Sequence, residues 1–272
     1  MKRVLRQQEP AELTQYRRAV PHGTWDNFKS DANYGGRDAY AACRVQLITD
    51  QGGICAFCEI DIRDNDPLQC RIEHFHPKSD ISNAHNWALD WSNLLAVCAG
   101  GSYKYGEPPY TQEPLTGNLS CDAHKDQMIQ SGELSAQCEG WIINPAELIA
   151  SPCLFHLEKS TGKLRSADLA NRAAFPAWPG NNQHSDVQTL VQHTIDMLNL
   201  NCDRLCNARL VIIRDIERNK KKQRDAGFSP KQGLGNLANR YLRQRWPGFF
   251  TTIRLCLGKA AEMYLKDLPF QG

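Results

Sequence analysis

No run of apolar residues in this chain is long enough to cross a bilayer, which takes about 18 or more in succession. The opening stretch MKRVLRQQEPAELTQYRR is polar throughout and lacks the apolar core of an export signal. These absences argue against a membrane partner and lead us to expect a cytoplasmic protein. Charge of one sign is also scarce: 32 Lys and Arg face 30 Asp and Glu, a formal net charge of +2. That is too small to announce a nucleic-acid partner by itself, so any electrostatic case must rest on local clustering. Internal repeats and low-complexity tracts are missing, and 41% hydrophobic with 23% charged residues is ordinary for a globular chain. Global disorder and collagen-like architectures are thereby set aside.

Cysteine, by contrast, is plentiful, with 11 in 272 residues. An odd number in a large chain without an export signal argues against a disulfide framework and for metal binding by some of them. The length allows one sizeable core with appendages or two modest domains, and we expect two. Cys55 and Cys58 in ICAFCE, with Cys98 in NLLAVC and Cys121 in LSCDAHK, can supply four thiolates from two loops. Such a set suits a closed tetrahedral zinc that holds together a unit too small to fold on its own core. The alternative is that Cys98 and Cys121 are unrelated core cysteines. Cys43, Cys70, Cys138, Cys153, Cys202, Cys206 and Cys256 read as small buried hydrophobes.

Along the chain, residues 1–37 read as an irregular arm around a short helix near Glu12 to Arg18. From Asp38 to Gln51 the apolar spacing predicts a helix that Gly52 and Gly53 stop. Between Gly100 and Ser120 lies a loop rich in Gly, Pro and Tyr, of a length that is usually functional or flexible. Tyr103, Tyr105 and Tyr110 near Lys104 make it a candidate base-stacking platform. WIINP and CLFHLEKSTGKLRS read as strands, the second turning at Thr161-Gly162. Beyond them the pattern is helical. Val187, Leu190, Val191, Ile195, Leu198 and Leu200 form one stripe, and Leu205, Ile212 and Ile216 another, with Asp203 as N-cap. A break follows at Gly227 to Gly235, then helices near Leu237 to Arg245 and Phe249 to Lys266.

Between the two cysteine pairs, RIEHFHPKSD places an acid directly before a histidine, with a second histidine two residues on. In an extended segment Glu73 and His74 point to opposite sides, while His74 and His76 share a face. A carboxylate can then meet a divalent cation while a free imidazole takes a proton from water. Read alone, the same residues are a strand of surface histidines.

The ordered set CxxC, IEHFHPKS, WSNLLAVC and SCDAHK resembles the HNH endonuclease family over roughly Cys55 to Gln127. The resemblance implies an α+β chain with a zinc-stapled ββα-metal nuclease unit and a mainly helical C-terminal half. Carried over, Glu73 is a metal ligand, His74 the general base, and Asn93 the residue that fixes the loop bearing the base. Many members read Cys-His-x-x-Lys at the last motif, whereas CDAHK puts Asp122 at the metal-binding position and leaves His124 as a competing ligand. A carboxylate suits Mg²⁺ or Mn²⁺. His76 either assists the phosphate or packs. Lys78 and Lys125 either offset developing negative charge or are solvated surface lysines.

The boundaries that follow are an arm over 1–37, a nuclease domain with structural zinc over 38–130, and a β-hairpin plus helical region over 131–272 for partner or nucleic-acid contacts. In the last region, Arg204 to Arg224 carries eight Lys or Arg against two acids. Arg214, Arg218, Lys220, Lys221 and Lys222 are the candidate phosphate contacts, the alternative being a helix end whose cations complement the dipole. The wider layout, including QGGICAFCE, IINP and TIDMLNLN, resembles the Septu-type defence nucleases. That resemblance implies an ABC-type ATPase subunit as partner and a role in antiphage defence, with a retron reverse transcriptase and its RNA–DNA product as further candidates. The expected reaction is phosphodiester hydrolysis in DNA or RNA, tRNA included. The rival from another class is a non-catalytic, zinc-stapled nucleic-acid-binding or scaffold protein.

Overall fold

A computed structural model describes residues 1–64, 70–82, 84–102, 116–168, 177–243 and 246–267. In chain order the elements are α1 (Ala11–Ala19), α2 (Trp25–Ser30), α3 (Gly36–Asp50), β1 (Cys70–His74), β2 (Leu94–Cys98) and α4 (Cys121–Ser131). These are followed by β3 (Phe155–Glu158), β4 (Lys163–Ser166), α5 (Val187–Met197), α6 (Asp203–Asp225), α7 (Pro230–Leu242), α8 (Phe250–Leu257) and α9 (Lys259–Asp267). Two antiparallel pairs, β1 with β2 and β3 with β4, make the sheets among the described residues. The tyrosine-rich loop positions Tyr103, Lys104, Tyr105 and Tyr110 lie outside them.

Helix α3 ends where the two glycines require it. Gly52 and Gly53 both adopt positive φ, and their amides close onto Thr49 O (3.0 Å) and Ile48 O (2.8 Å). The last side chain before them, Gln51, is buried and acts as a piece of strand. Its Nε2 donates to Ala96 O (2.7 Å), and its Oε1 accepts from Ala96 N (2.8 Å). The chain is thereby pinned to β2 just as it enters the turn carrying Cys55 and Cys58. Strand β2 is buried at all five positions and pairs with β1 so that Cys70 faces Cys98 and Glu73 faces Leu95. An all-apolar LLAVC therefore lies in the core and presents β1, with its acid and histidine, at the edge of it.

The fourth cysteine is placed from a distance. Asp186 caps α5 by accepting from Thr189 N (2.7 Å), and Leu190, Val191, Thr194 and Ile195 bury its inner face. At its far end Leu198 O accepts from Cys121 N (2.8 Å), and the Asn199 amide holds Leu119 O (2.8 Å). Arg209 of α6 is almost fully buried and ties Leu200 O (2.6 Å) to Gly162 O (3.1 Å) of the β3–β4 turn.

Several expectations are corrected. Residues 1–37 hold two helices rather than one. WIINP is no strand: Ile142 N returns to Cys138 O (3.1 Å), Gly140 takes positive φ, and Ile143 N is claimed by Thr194 Oγ1 (2.9 Å). The N-cap of α6 is Cys202, whose carbonyl accepts from Leu205 and Cys206, so Asp203 is the first helical residue. Its buried stripe runs through Leu205, Arg209, Ile213, Ile216 and Asn219, leaving Ile212 half-buried. The expected break at Gly227 to Gly235 is a short turn, because Ser229 and Gln232 form a capping box that starts α7 at Pro230. Gly233 is needed inside that helix, since a Cβ there would meet Gln223 of α6 at 2.9 Å. The final helix is split by Gly258, which no L side chain matches readily at φ 56 and ψ −129.

Candidate active site and metal centre

Cys55, Cys58, Cys98 and Cys121 converge, all buried, with their sulfurs within 4.8 Å of one another. Three separations are 3.6 Å (Cys58 to Cys98), 3.8 Å (Cys98 to Cys121) and 4.0 Å (Cys55 to Cys121). Backbone amides of Cys98 and Gly100 point at Cys55 Sγ (3.3 Å) and Cys98 Sγ (3.4 Å), the arrangement that stabilises thiolates. The four can hold a metal ion. Their convergence removes the alternative of unrelated core cysteines for Cys98 and Cys121.

Beside this centre opens a cleft of about 540 Å³ lined by Glu73, His74, Lys78, Asp122, Lys125 and Asp126, with Trp25 and Tyr40 from the N-terminal helices. Glu73 comes from β1, while Asp122 and Lys125 come from the first turns of α4, three residues apart and so on one face. Glu73 and Asp122 are both buried, and both line the cleft. The Lys125 ammonium sits against Glu73 Oε1 in very close contact and donates to His74 O (3.1 Å). Burial, opposed by Lys125 and reinforced by Asp122, pushes the Glu73 carboxyl well above the usual range. Burial works against the Lys125 charge, but Glu73 outweighs it and holds the ammonium above its ordinary value.

His74 Nε2 lies 3.0 Å from Ala88 O. A carbonyl only accepts, so Nε2 carries the proton and Nδ1 keeps its lone pair. The Trp25 ring meets the imidazole edge to face at 4.3 Å. Burial lowers the His74 pKa to about 4, with the bond to Ala88 opposing and Lys78 and Lys125 adding to the fall. Glu73 and His74 are the last two residues of β1, and both line the cleft. His76 is turned elsewhere. Its Nδ1 meets Glu139 Oε1 (2.7 Å), its Nε2 meets Asp80 Oδ2 (2.9 Å), and its ring stacks on Trp87 at 4.1 Å. Asn93 is buried and crosses the loop: Oδ1 accepts from His76 N (2.6 Å), and Nδ2 donates to His76 O (3.0 Å) and Trp87 O (2.9 Å). His124 points its Nδ1 at Met197 O (2.9 Å), towards α5.

No family model matches the chain. It is, however, 32% identical over 262 residues to an Escherichia coli protein named "Retron Ec83 putative HNH endonuclease", covering 93% of this chain and 92% of that protein. This chain belongs to the HNH endonuclease family. It is accordingly an enzyme of the nuclease class.

Two residues of this HNH endonuclease, Trp25 and Asp126, escaped the motifs. Trp25 sits in an arm without motif character, yet α2 delivers it to the ring of His74. Asp126 joins Asp122 on the cleft wall one turn later, a spacing that could have been read from SCDAHKD. Lys125 is only 3% exposed, so it is not the surface lysine of the alternative reading. Lys78 and Lys29 remain accessible at the cleft, as does Arg71, which lies 3.7 Å from Asp122 and bonds Ser102 Oγ (2.6 Å). On α6, Arg214, Arg218, Lys221 and Lys222 are exposed, while Lys220 is half-buried against Glu217 (2.8 Å) and Cys256 O (3.0 Å).

Proposed function

We propose that this endonuclease hydrolyses phosphodiester bonds with a divalent ion held by Glu73 and Asp122 and with His74 as general base. The observation that carries the reading is the contact of His74 Nε2 with Ala88 O: the carbonyl accepts the Nε2–H bond, so Nδ1 keeps its lone pair on a ring that lines the carboxylate-bearing cleft. The buried carboxyls of Glu73 and Asp122, both lining the cleft, form a hard oxygen donor set that suits Mg²⁺ or Mn²⁺. When bound, such an ion supplies Lewis-acid polarisation of a phosphoryl oxygen and neutralises charge on the leaving oxygen. His74 Nδ1 takes the proton of the attacking water, and its low pKa keeps it unprotonated at neutral pH. Asn93 holds the loop that follows the base, His76 anchors that loop through Asp80 and Glu139, and Lys78 reaches the phosphate. Asp122 rather than His124 is the helix ligand in this reading, since His124 is spent on Met197 O.

The same reading makes β1, β2 and α4 a ββα-metal unit stapled by zinc. Tetrahedral zinc with Zn–S near 2.3 Å sets sulfur separations of about 3.8 Å, and the three measured here run from 3.6 to 4.0 Å. The nuclease domain is then 38–130, with 131–272 serving partner and nucleic-acid contacts through Arg214, Arg218, Lys221 and Lys222. The retron named in the relative's description supports a defence role, in which an ABC-type ATPase, a reverse transcriptase and its RNA–DNA product are the partners.

The test is cleavage of plasmid and of total RNA, with and without Mg²⁺ or Mn²⁺, by the protein alone and co-purified with whatever neighbouring gene product it binds. Metal-dependent products that vanish in His74→Ala are expected. Identical patterns in every lane of both preparations would leave a zinc-stapled scaffold instead.

A further inference from the structure

The charge on Lys125 has no partner in solvent. Its side chain is 4% exposed, and its ammonium is committed to Glu73 Oε1 and His74 O. The accessible cations of the cleft are Lys29, Arg71 and Lys78, so the phosphate has other charges to meet. What Lys125 faces is the carboxyl pair that the proposed function assigns to the divalent ion. A buried carboxyl pair with no compensating charge is strongly destabilising, and a lysine three residues after Asp122 on the same helix face supplies that charge from within the chain.

We infer that Lys125 is an internal counter-cation that competes with the divalent ion for Glu73 Oε1 and so sets how tightly the site holds it. The inference rests on the carboxylate-site reading. A cation in the protein lets the nuclease fold and persist before it meets its ion, and it keeps ion binding weak enough to reverse. The bond from Nζ to His74 O gives the same group a second task, fixing the end of β1 where the base begins.

The experiment titrates full-length, zinc-loaded protein with MnCl₂, following free Mn²⁺ by electron paramagnetic resonance and melting temperature alongside. Lys125→Met keeps the length of the side chain and removes its charge, and it should bind Mn²⁺ about tenfold more tightly while melting lower than wild type without Mn²⁺. Lys125→Arg should stay within about threefold of wild type in affinity, because the charge is retained. Should Lys125→Met not fold, Lys125→Gln carries the same comparison. Affinity unchanged or weakened in the neutral variants, or raised equally in Lys125→Arg, overturns the inference. If wild type binds no Mn²⁺, or binds it equally well as Asp122→Asn, the carboxylate-site reading falls and takes the inference with it. Binding that Asp122→Asn abolishes but Lys125→Met leaves alone overturns the inference only.

Discussion

At the sulfur centre four cysteines converge and receive backbone amides; in the cleft two carboxyls converge and receive an ammonium. Both clusters are buried, and both gather like-charged groups that repel when ionised. The thiols have no lysine or arginine in hydrogen-bonding contact among the described residues, so an ion that stays is what their thiolate form calls for. The carboxyls carry their own cation, Lys125, so on the proposed reading an ion there would come and go while the fold persists. On the proposed function, the first region would hold its ion permanently and the second would exchange it beside an open cleft.

The sharpest way to break this contrast is to remove one sulfur. Cys58→Ser should abolish zinc retention and leave the region from Cys55 to Ser131 unfolded, since structural zinc supplies about 10–16 kcal/mol of apparent binding energy against a total stability of about 5–15 kcal/mol. Metal analysis and circular dichroism on the purified variant check it. A folded, zinc-containing Cys58→Ser would show that three sulfurs suffice and that permanence lies elsewhere.

In the cleft the counterpart is His74→Ala. Cleavage should fall by about 10²–10⁴-fold, while the chain stays folded and keeps its zinc. The pH dependence sharpens the point. The unfolded imidazole titrates near 6.5 and the folded one near 4, so the unfolded state binds the extra proton between those values. Stability linked to His74 is therefore fully present above pH 6.5 and is lost as pH falls towards 4, by roughly 3 kcal/mol in all. Urea midpoints at pH 7 and pH 4.5 should show this loss in wild type and much less of it in His74→Ala. An imidazole resonance titrating near 6.5 in the folded, Mn²⁺-free protein sinks the expectation.

What sequence reasoning could see follows the same division. Cys55 and Cys58 were legible because their chemistry is set by spacing within a few residues, and Gly52-Gly53 ended α3 for an equally local reason, whereas Glu73 and His74, a strand of surface histidines when read alone, took their roles from the family resemblance. Asn93 was legible only through the family resemblance, yet its three bonds to the 76–87 loop fit the role. Trp25 was not legible: its ring reaches His74 from a helix far back in the chain, and no period or motif encodes that contact. Nor was the inward turn of Lys125, since a lysine after a cysteine and an aspartate reads as surface until the carboxyl opposite it is placed. His76 misled for the converse reason. Strand alternation put it beside His74, but β1 ends at His74 and the chain bends, handing His76 to Asp80 and Glu139.

A smaller effect is expected at Asn93. Asn93→Ala removes two buried hydrogen bonds and one half-buried one, which at about 1 kcal/mol each lowers stability by about 3 kcal/mol. Cleavage should fall less than in His74→Ala, because the base is loosened and not lost. Equal loss of activity in the two variants at a temperature where both are folded would mean that Asn93 itself touches the reacting groups.

The smallest effect belongs to the outer face of α6. Arg214, Arg218 and Lys222 follow one another at four-residue intervals and are exposed, so they form a single stripe along the helix. If that stripe meets phosphates, each residue releases about one counterion, and the triple alanine variant should reduce the slope of log K against log salt by about 2.7. Fluorescence anisotropy with a labelled duplex across a salt series measures it, and the catalytic rate at saturating substrate should stay near wild type. The contrast with Lys125 is the point of the experiment: exposed cations should appear in the salt slope and not in Mn²⁺ affinity, and the buried one the other way about. A slope unchanged by the triple substitution would return the stripe to a helix end whose cations complement its own dipole.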